Sequence, residues 1–260
     1  MQLLIGQISY LNSQPFYPLL GEHRLVAMPP RELGRLAERG EIDAGIMATA
    51  DYLAMEDRYE PVADLGVANH EEVRSILLYT RRPLSQLGGT KIGVTEDTST
   101  SICLMRLLLE VRYGIQPPDY LRGFQEDGEG FLVIGNPALL SRRRPPPGFS
   151  HCYDLASEWW SWKKLPFVFA LWVIKRTVPT HAKLAFRDLL ERSFVKGMSE
   201  LEEIAAGHAG ELGTAEELVS YLRNFHYRLG DEEKRGLEEF RQLVHHHRLL
   251  EPVATAGGAS

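Results

Sequence analysis

Two stretches stand out for what their side chains could do. Ser9-Tyr10-Leu11-Asn12-Ser13 follows a short apolar run at the start of the chain. An asparagine amide offers a donor and an acceptor in one plane and does not titrate, so Asn12 could orient a hydroxyl or a carboxylate. The same residues would also serve as an Asx or Ser turn feeding a helix. Thr98-Ser99-Thr100-Ser101 precedes an amphipathic run. Capping a helix takes one hydroxyl and four are present, so this turn reads as a site where free N–H groups and the positive end of a helix dipole hold a carboxylate or phosphate. Gly135-Asn136, after the apolar Phe131–Ile134, either closes a cleft floor or makes a turn. Ser75, a polar residue in the apolar run Val73–Thr80, is either a satisfied strand serine or a cleft-facing hydroxyl.

Several familiar chemistries have no motif to rest on. The chain has no Walker loop, no GxGxxG, no HExxH and no GxSxG. His245-His246-His247 is not expected to bind a metal, because successive helical residues point in different directions and cannot converge on one ion. Cys103 and Cys152 are too few for a disulfide framework or a four-cysteine zinc site. Cys103 sits in an apolar helical pattern and reads as a core thiol. What remains is rich in hydroxyls, amides and helix termini and poor in bases. That suits binding and orienting a small anion more than side-chain acid–base chemistry.

The elements that must position these residues alternate between strand and helix in the first part of the chain. Strands are expected at Leu3–Ser9, Leu25–Met28 and Ala44–Met47, with a helical start at Pro15–Leu20 and a helix opening at Pro30. Thr49 reads as an N-cap before Asp51-Tyr52-Leu53. Val73–Thr80 is strongly β-prone. A second βα unit follows, with a strand at Lys91–Val94 and a helix from Ile102 to Tyr113 that stops at Gly114. Strands at Phe131–Ile134 and Phe167–Ile174 complete the pattern. Everything afterwards is helical: Pro179–Lys196, Ser199–His208, Ala215–Tyr227 and Asp231–His246. The tail ATAGGAS reads as frayed.

This order predicts an α/β fold of two lobes joined by two crossings, which the spacing puts near 80–90 and 165–176. Lobe 1 would comprise 1–85 plus 176–260, and lobe 2 would comprise 86–175. Ligand would lie between them, because the carboxyl ends of strands in open α/β sheets line crevices.

The bulk numbers bound the rest. At 260 residues the chain allows one large or two ordinary domains. It is 44% apolar and 25% charged, with a net charge of -6, which argues against a nucleic-acid partner. Arg142-Arg143-Arg144 before Pro145-Pro146-Pro147 reads as a solvated loop. The start MQLLIGQISY has no basic leader, and no apolar run reaches the roughly 20 residues a bilayer demands, so no membrane partner and a cytoplasmic location are expected. Monomer and homodimer are both left open.

Several separated stretches resemble one family in order along nearly the whole chain. They are ISYLNSQPFYPLL, GEIDAGIMATADYL, VRSILLYTRRPLSQLGG, IGVTEDTSTSICLMRLLL, FLVIGNPALL, YDLASEWWSWKKLPFVFALWVIK and YRLGDEEKRGLEEF. The family is MqnA, the chorismate dehydratases of the futalosine route to menaquinone. Its most specific elements are the SYLN start and the EWWSWKKLPFVFALW block. The resemblance implies a two-lobed fold like the type II periplasmic binding proteins, with the ligand cleft between the lobes. It also implies a cofactor-free lyase that removes water from chorismate, its small-molecule substrate, to give 3-[(1-carboxyvinyl)oxy]benzoate.

On that resemblance, Asn12 matches the SYLN asparagine and Ser75 a serine in an SVLLFS-like strand, and both would orient the enolpyruvyl arm and hydroxyl. Ser9, Tyr10, Thr49, Thr98, Ser99, Thr100, Ser101, Gly135 and Asn136 would bind substrate, Thr100 and Ser101 gripping a carboxylate. The substrate's own carboxylate would take the proton. Three positions depart from the family pattern: Ala48-Thr49 replaces Pro-Ser, Asn136 stands for Asp, and Glu71 occupies a loop where Gly is common. A non-catalytic small-anion solute-binding protein and the sister enzyme that cleaves cyclic dehypoxanthinyl futalosine are the competing readings. The sister family begins with a Cys-Pro-Asn-Asp-type motif absent here.

Overall fold

A computed structural model describes residues 1–250; the ATAGGAS segment lies outside the described residues. Its strands are β1 (Leu4–Ile8), β2 (Arg24–Met28), β3 (Ala44–Ala48), β4 (Tyr59–Asn69), β5 (Ile76–Thr80), β6 (Lys91–Val94), β7 (Asp119–Arg122), β8 (Gly130–Ile134), β9 (His151–Asp154), β10 (Phe167–Lys175) and β11 (His226–Arg228). They form two sheets, ordered β11-β4-β10-β3-β1-β2 and β7-β6-β8-β5-β9. β1 runs parallel to β2 and β3, and β6 runs parallel to β7 and β8. β10 and β5 are antiparallel to both of their neighbours. Each is an interior strand of its sheet, and both are almost wholly buried, as continuous apolar runs such as FALWVI and ILLYT require.

Sheet membership shifts the expected lobe limits. β5 belongs to the second sheet, not the first, and β10 to the first, not the second. The chain therefore leaves the first sheet after Asn69 and enters the second at Ile76; it returns after Asp154 and re-enters at Phe167. We propose crossings at 70–75 and 155–166 in place of 80–90 and 165–176. Strand propensity marked both runs as buried but carries no record of which sheet pairs with them.

The helices are α1 (Pro30–Glu38), α2 (Thr49–Leu53), α3 (Thr100–Arg106), α4 (Gly135–Arg143), α5 (Leu155–Lys163), α6 (Thr180–Ser199), α7 (Leu201–Gly207), α8 (Ala215–Arg223) and α9 (Asp231–His246). α3 continues as a π-turn segment, Leu107–Arg112, and stops at Gly114, whose φ is +62°. The expected helical run to Tyr227 ends instead at Arg223, and His226–Arg228 pairs antiparallel with β4. Thr49 is not an N-cap: it lies in the first turn of α2, and its hydroxyl donates to the Val168 carbonyl at 2.7 Å. Arg142 and Arg143 close α4 and do not form a solvated loop; Arg142 pairs with Glu72 at 2.6 Å and Arg143 with Glu217.

β4 has no strand signature. Its sequence YEPVADLGVAN contains Pro61, and Ala63 and Asp64 sit at φ +65° and +45°. These residues coincide with a register irregularity against β10. Pairing with β10 and β11 holds the segment extended despite its poor intrinsic preference.

Candidate active site

The segment after β1 is fixed from behind by aromatic packing. Phe16, fully buried, meets Trp172 and Tyr227 edge-on at 5.7 and 5.4 Å and stacks on Phe194 at 5.5 Å. Burying such a ring stabilises by about 1.5–3 kcal/mol. Ser193 on α6 donates to the Phe16 carbonyl at 2.7 Å, and Ser13 donates to the Ile8 carbonyl at 2.6 Å. Leu11–Phe16 is thereby held as a 3-10 turn that presents Tyr10 and Asn12.

The turn borders a cavity of about 530 Å³ of free space, its open mouth included, lying between the two sheets. The parallel strands β1, β3, β6 and β8 all direct their carboxyl ends toward it. Its apolar walls come from Ile8, Ile46, Val67, Ile76, Ile134 and Phe169. Its polar lining is Tyr10, Asn12, Ser13, Ser75 and Thr98 to Ser101, with the backbone at Gly135. Among the described residues, Tyr10 is the sole ionisable side chain lining the cavity. Burial first, and then the neighbouring Asp97 carboxylate, raise its phenol well above the ordinary tyrosine range, so it stays neutral.

Of the residues expected to bind, the structure brings Asn12, Ser75, Tyr10, Thr98, Ser99, Thr100, Ser101 and Gly135 to the cavity and leaves three away from it. Ser9 is exposed. Thr49 is fully buried and already engaged with Val168. Asn136 spans the lobes, its Oδ1 accepting the Leu11 N–H at 3.0 Å.

The polar groups at the cavity divide by whether the protein already uses them. Ser99 donates to Asp51 at 2.7 Å, and Thr100 Oγ1 accepts the Ala50 N–H at 3.0 Å; both bonds join the lobes. Tyr10 donates to Asp97 at 3.1 Å, again across the lobes. Thr98 Oγ1, by contrast, is buried with no partner among the described residues. No hydrogen bond among the described residues engages the Asn12 amide or the Ser101 hydroxyl. A buried hydroxyl without a partner costs roughly 1–3 kcal/mol, which a ligand acceptor would offset. Arg122 stiffens this turn by donating to the Thr95 and Thr98 carbonyls, each at 3.0 Å.

Gly135 serves by its lack of a side chain. Its φ is +65°, and a Cβ there would lie 2.5 Å from the Tyr10 ring. Tyr10 can therefore lie over the start of α4.

Ser75 lies just before β5 and not inside a strand, where the β-run suggested it. Its Oγ accepts from Tyr221 on α8 at 2.9 Å, and its carbonyl accepts the Gly135 N–H at 2.8 Å. Asp154 holds the same crossing in place. Its carboxylate accepts Val73 N–H and Arg74 N–H at 3.0 and 2.7 Å while capping α5 through Ala156 and Ser157. Burial lifts its pKa to about 6 against the lowering effect of those four donors.

Tyr221, Asp97, Asp51 and Asp154 are the supporting residues that sequence reading missed. Asp154 before a Leu-Ala-Ser-Glu run carries an N-cap signature that could have revealed it. Tyr221 reaches Ser75 over 146 residues, and no local pattern encodes that.

Comparison with known proteins gives three kinds of likeness. A family model described as menaquinone biosynthesis matches residues 3–246. The chain is 29% identical over 265 residues to a chorismate dehydratase of Thermus thermophilus, covering 93% of this chain and 94% of that one. Among solved structures, protein AF1704 from Archaeoglobus fulgidus superposes with a TM-score of 0.79 at 16% identity, covering 95% of this chain and 98% of that one. The periplasmic aliphatic sulphonate binding protein SsuA from Escherichia coli does so with 0.63 at 14% identity, covering 100% and 94%. These structures establish the two-lobed periplasmic-binding-protein fold.

Proposed function

The chain belongs to the menaquinone biosynthesis family, and from that premise we propose that it is a chorismate dehydratase. It would be a cytoplasmic hydro-lyase of the futalosine route, needing no cofactor and releasing 3-[(1-carboxyvinyl)oxy]benzoate and water. The observation that carries this reading is a cavity lined by amide and hydroxyl groups, those of Asn12, Thr98 and Ser101 unengaged, and, among the described residues, by no carboxylate, imidazole or amine. Chorismate has two carboxylates and a ring hydroxyl, so it suits such a lining.

In the elimination, the ring carbon bearing the enolpyruvyl ether loses a proton and the neighbouring carbon loses its hydroxyl. The pair of electrons from the broken C–H bond becomes the new ring double bond, and aromatisation drives the step. Tyr10 is held neutral and is no base, so the substrate's side-chain carboxylate takes the proton and passes it to the departing hydroxyl, which leaves as water. The protein's part is to hold that geometry and exclude water. Asn12 would orient the enolpyruvyl arm, Ser75 the departing hydroxyl, and Thr98 and Ser101 a carboxylate near the start of α3.

A small-anion solute-binding protein is the second reading, favoured by the fold shared with SsuA and by the same lack of a base. One experiment separates them. Purified protein is incubated with chorismate, without added cofactor, and the products are resolved by chromatography with mass detection. A product lighter by one water, lost in a folded Asn12→Ala variant, supports the dehydratase. Unchanged chorismate together with ligand-induced thermal stabilisation refutes it in favour of binding.

A further inference from the structure

Away from the cleft, four side chains form a chain at the root of the first crossing. His70 immediately follows β4, His226 opens β11, and Glu232 and Glu233 lie in the first turn of α9. His70 Nδ1 and His226 Nε2 face each other at 3.1 Å. The outer nitrogens face carboxylates: His226 Nδ1 meets Glu233 Oε1 at 3.0 Å, and His70 Nε2 meets Glu232 Oε2 at 3.4 Å. Trp160 of α5 meets the His70 ring edge-on at 5.6 Å. Glu233 is itself fixed, its side chain only 8% exposed and its Oε2 accepting the Gly230 N–H at 3.0 Å.

Tautomer logic makes this arrangement unusual. A carboxylate can only accept, so each outer nitrogen must carry the hydrogen. In two neutral rings the inner nitrogens are then both lone pairs, 3.1 Å apart, with the ring planes inclined at 68° and the centroids 4.1 Å apart. Such a pair repels unless a cation lies between them. A metal at the usual 2.0–2.1 Å from each of two imidazoles, in tetrahedral geometry, sets the nitrogens about 3.3 Å apart. The nitrogens already stand near that separation, and a modest turn of the two rings, which widens the 4.1 Å between their centroids, brings both lone pairs onto one ion. The outer carboxylates then take the supporting role commonly seen around metal-bound histidines, fixing tautomer and ring orientation.

We propose that His70 Nδ1 and His226 Nε2 form a site for a divalent late transition metal such as Zn²⁺, Ni²⁺ or Cu²⁺, oriented by Glu233 and Glu232, with water completing the coordination. Imidazole donors select this class over Mg²⁺ or Ca²⁺. The bound ion ties the start of the 70–75 crossing to β11 and α9 of the first lobe. It lies outside the catalytic cavity and takes no part in the dehydration.

The test uses the full chain without an affinity tag, titrated with Zn²⁺ and Ni²⁺ by calorimetry and thermal unfolding, with Mg²⁺ as control. One saturable site is expected, raising Tm by about 5 °C at a hundredfold excess over Kd. His70→Ala and His226→Ala abolish it, and Glu233→Gln weakens it about 10-fold to 100-fold. Removing the exposed tract with His246→Ala and His247→Ala leaves it unchanged. Absence of saturable binding, as when only a proton fills the gap, overturns the proposal, and so does binding that survives His70→Ala and His226→Ala. Should those variants not fold, Cu²⁺ bound to the unaltered protein decides: spin coupling to two imidazole nitrogens supports the site, and coupling to fewer overturns it.

Discussion

The Tyr221 hydroxyl donates to Ser75 Oγ at 2.9 Å, tying helix α8 of the first lobe to the crossing that leads into the second. Both residues are buried, and Ser75 has only a long 3.4 Å alternative partner in the Val73 carbonyl. Tyr221 thus fixes the direction in which the serine lone pairs face the cavity. Tyr221→Phe removes a bond worth about 1 kcal/mol. The expected result is a folded protein whose chorismate turnover falls about fivefold, with Ser75→Ala falling further. Wild-type rates in both variants would take Ser75 out of the reaction.

Thr98 offers a test that separates ligand binding from stability. Its hydroxyl is buried and unpartnered, so Thr98→Val gives up no protein hydrogen bond on folding. Tm should hold or rise slightly. KM for chorismate should increase about tenfold or more, since a hydrogen bond to a charged group contributes roughly 1.5–3 kcal/mol. An unchanged KM would show that this hydroxyl does not meet substrate.

Asn136 bridges the lobes through Oδ1 alone, accepting the Leu11 N–H. An aspartate supplies the same acceptor with more charge, so Asn136→Asp should keep turnover within about threefold of the original, the bond being at least as strong. Asn136→Leu removes the acceptor and leaves the Leu11 N–H without its bond. Steady-state kinetics on the pair would show whether the bridge or the charge matters; a large loss in the aspartate variant would implicate the charge.

The Asp51 carboxyl is pressed against Gly34, where a Cβ would lie 2.5 Å from Oδ2. Burial, only partly offset by the Ser99 hydroxyl, raises its pKa to about 7. An unfolded aspartate titrates near 3.9, so between roughly pH 4 and 7 the folded state binds more protons. Stability from this group is therefore complete below about pH 4 and is lost as pH rises through 7, with a slope of at most about 1.4 kcal/mol per pH unit. Asp154, at about 6, acts in the same direction over a lower window. Asp51→Asn should flatten the decline specifically between pH 6 and 7. Denaturant unfolding at pH 5, 6, 7 and 8 measures this, and an unchanged slope would mean that Asp51 ionises freely.

The hydroxyl turn at 98–101 shows how far side-chain type can be read without coordinates. Four hydroxyls before an apolar helical run signalled a polar site, and all four line the cavity. Their division of labour was not legible. Ser99 and Thr100 are engaged by Asp51 and the Ala50 N–H on the other lobe, residues about 50 positions earlier, while Thr98 stays free. Thr49 went astray for the same reason: a Thr before a short helix is a sound cap signal, but a carbonyl from Val168 claimed its hydroxyl first.

The sequence by itself determined what depends on neighbours a few residues apart. Apolar runs marked the buried interior strands, glycine and proline marked helix ends, and the SYLN and EWWSWKKLPFVFALW blocks marked the family. Tertiary structure alone decided which sheet received β5 and β10, that YEPVADLGVAN is a strand, and that Tyr221 stands behind Ser75. Those outcomes rest on pairings between segments far apart in the chain. Backbone hydrogen bonding and burial there outweigh local preference, and neither is set until the partner segment arrives.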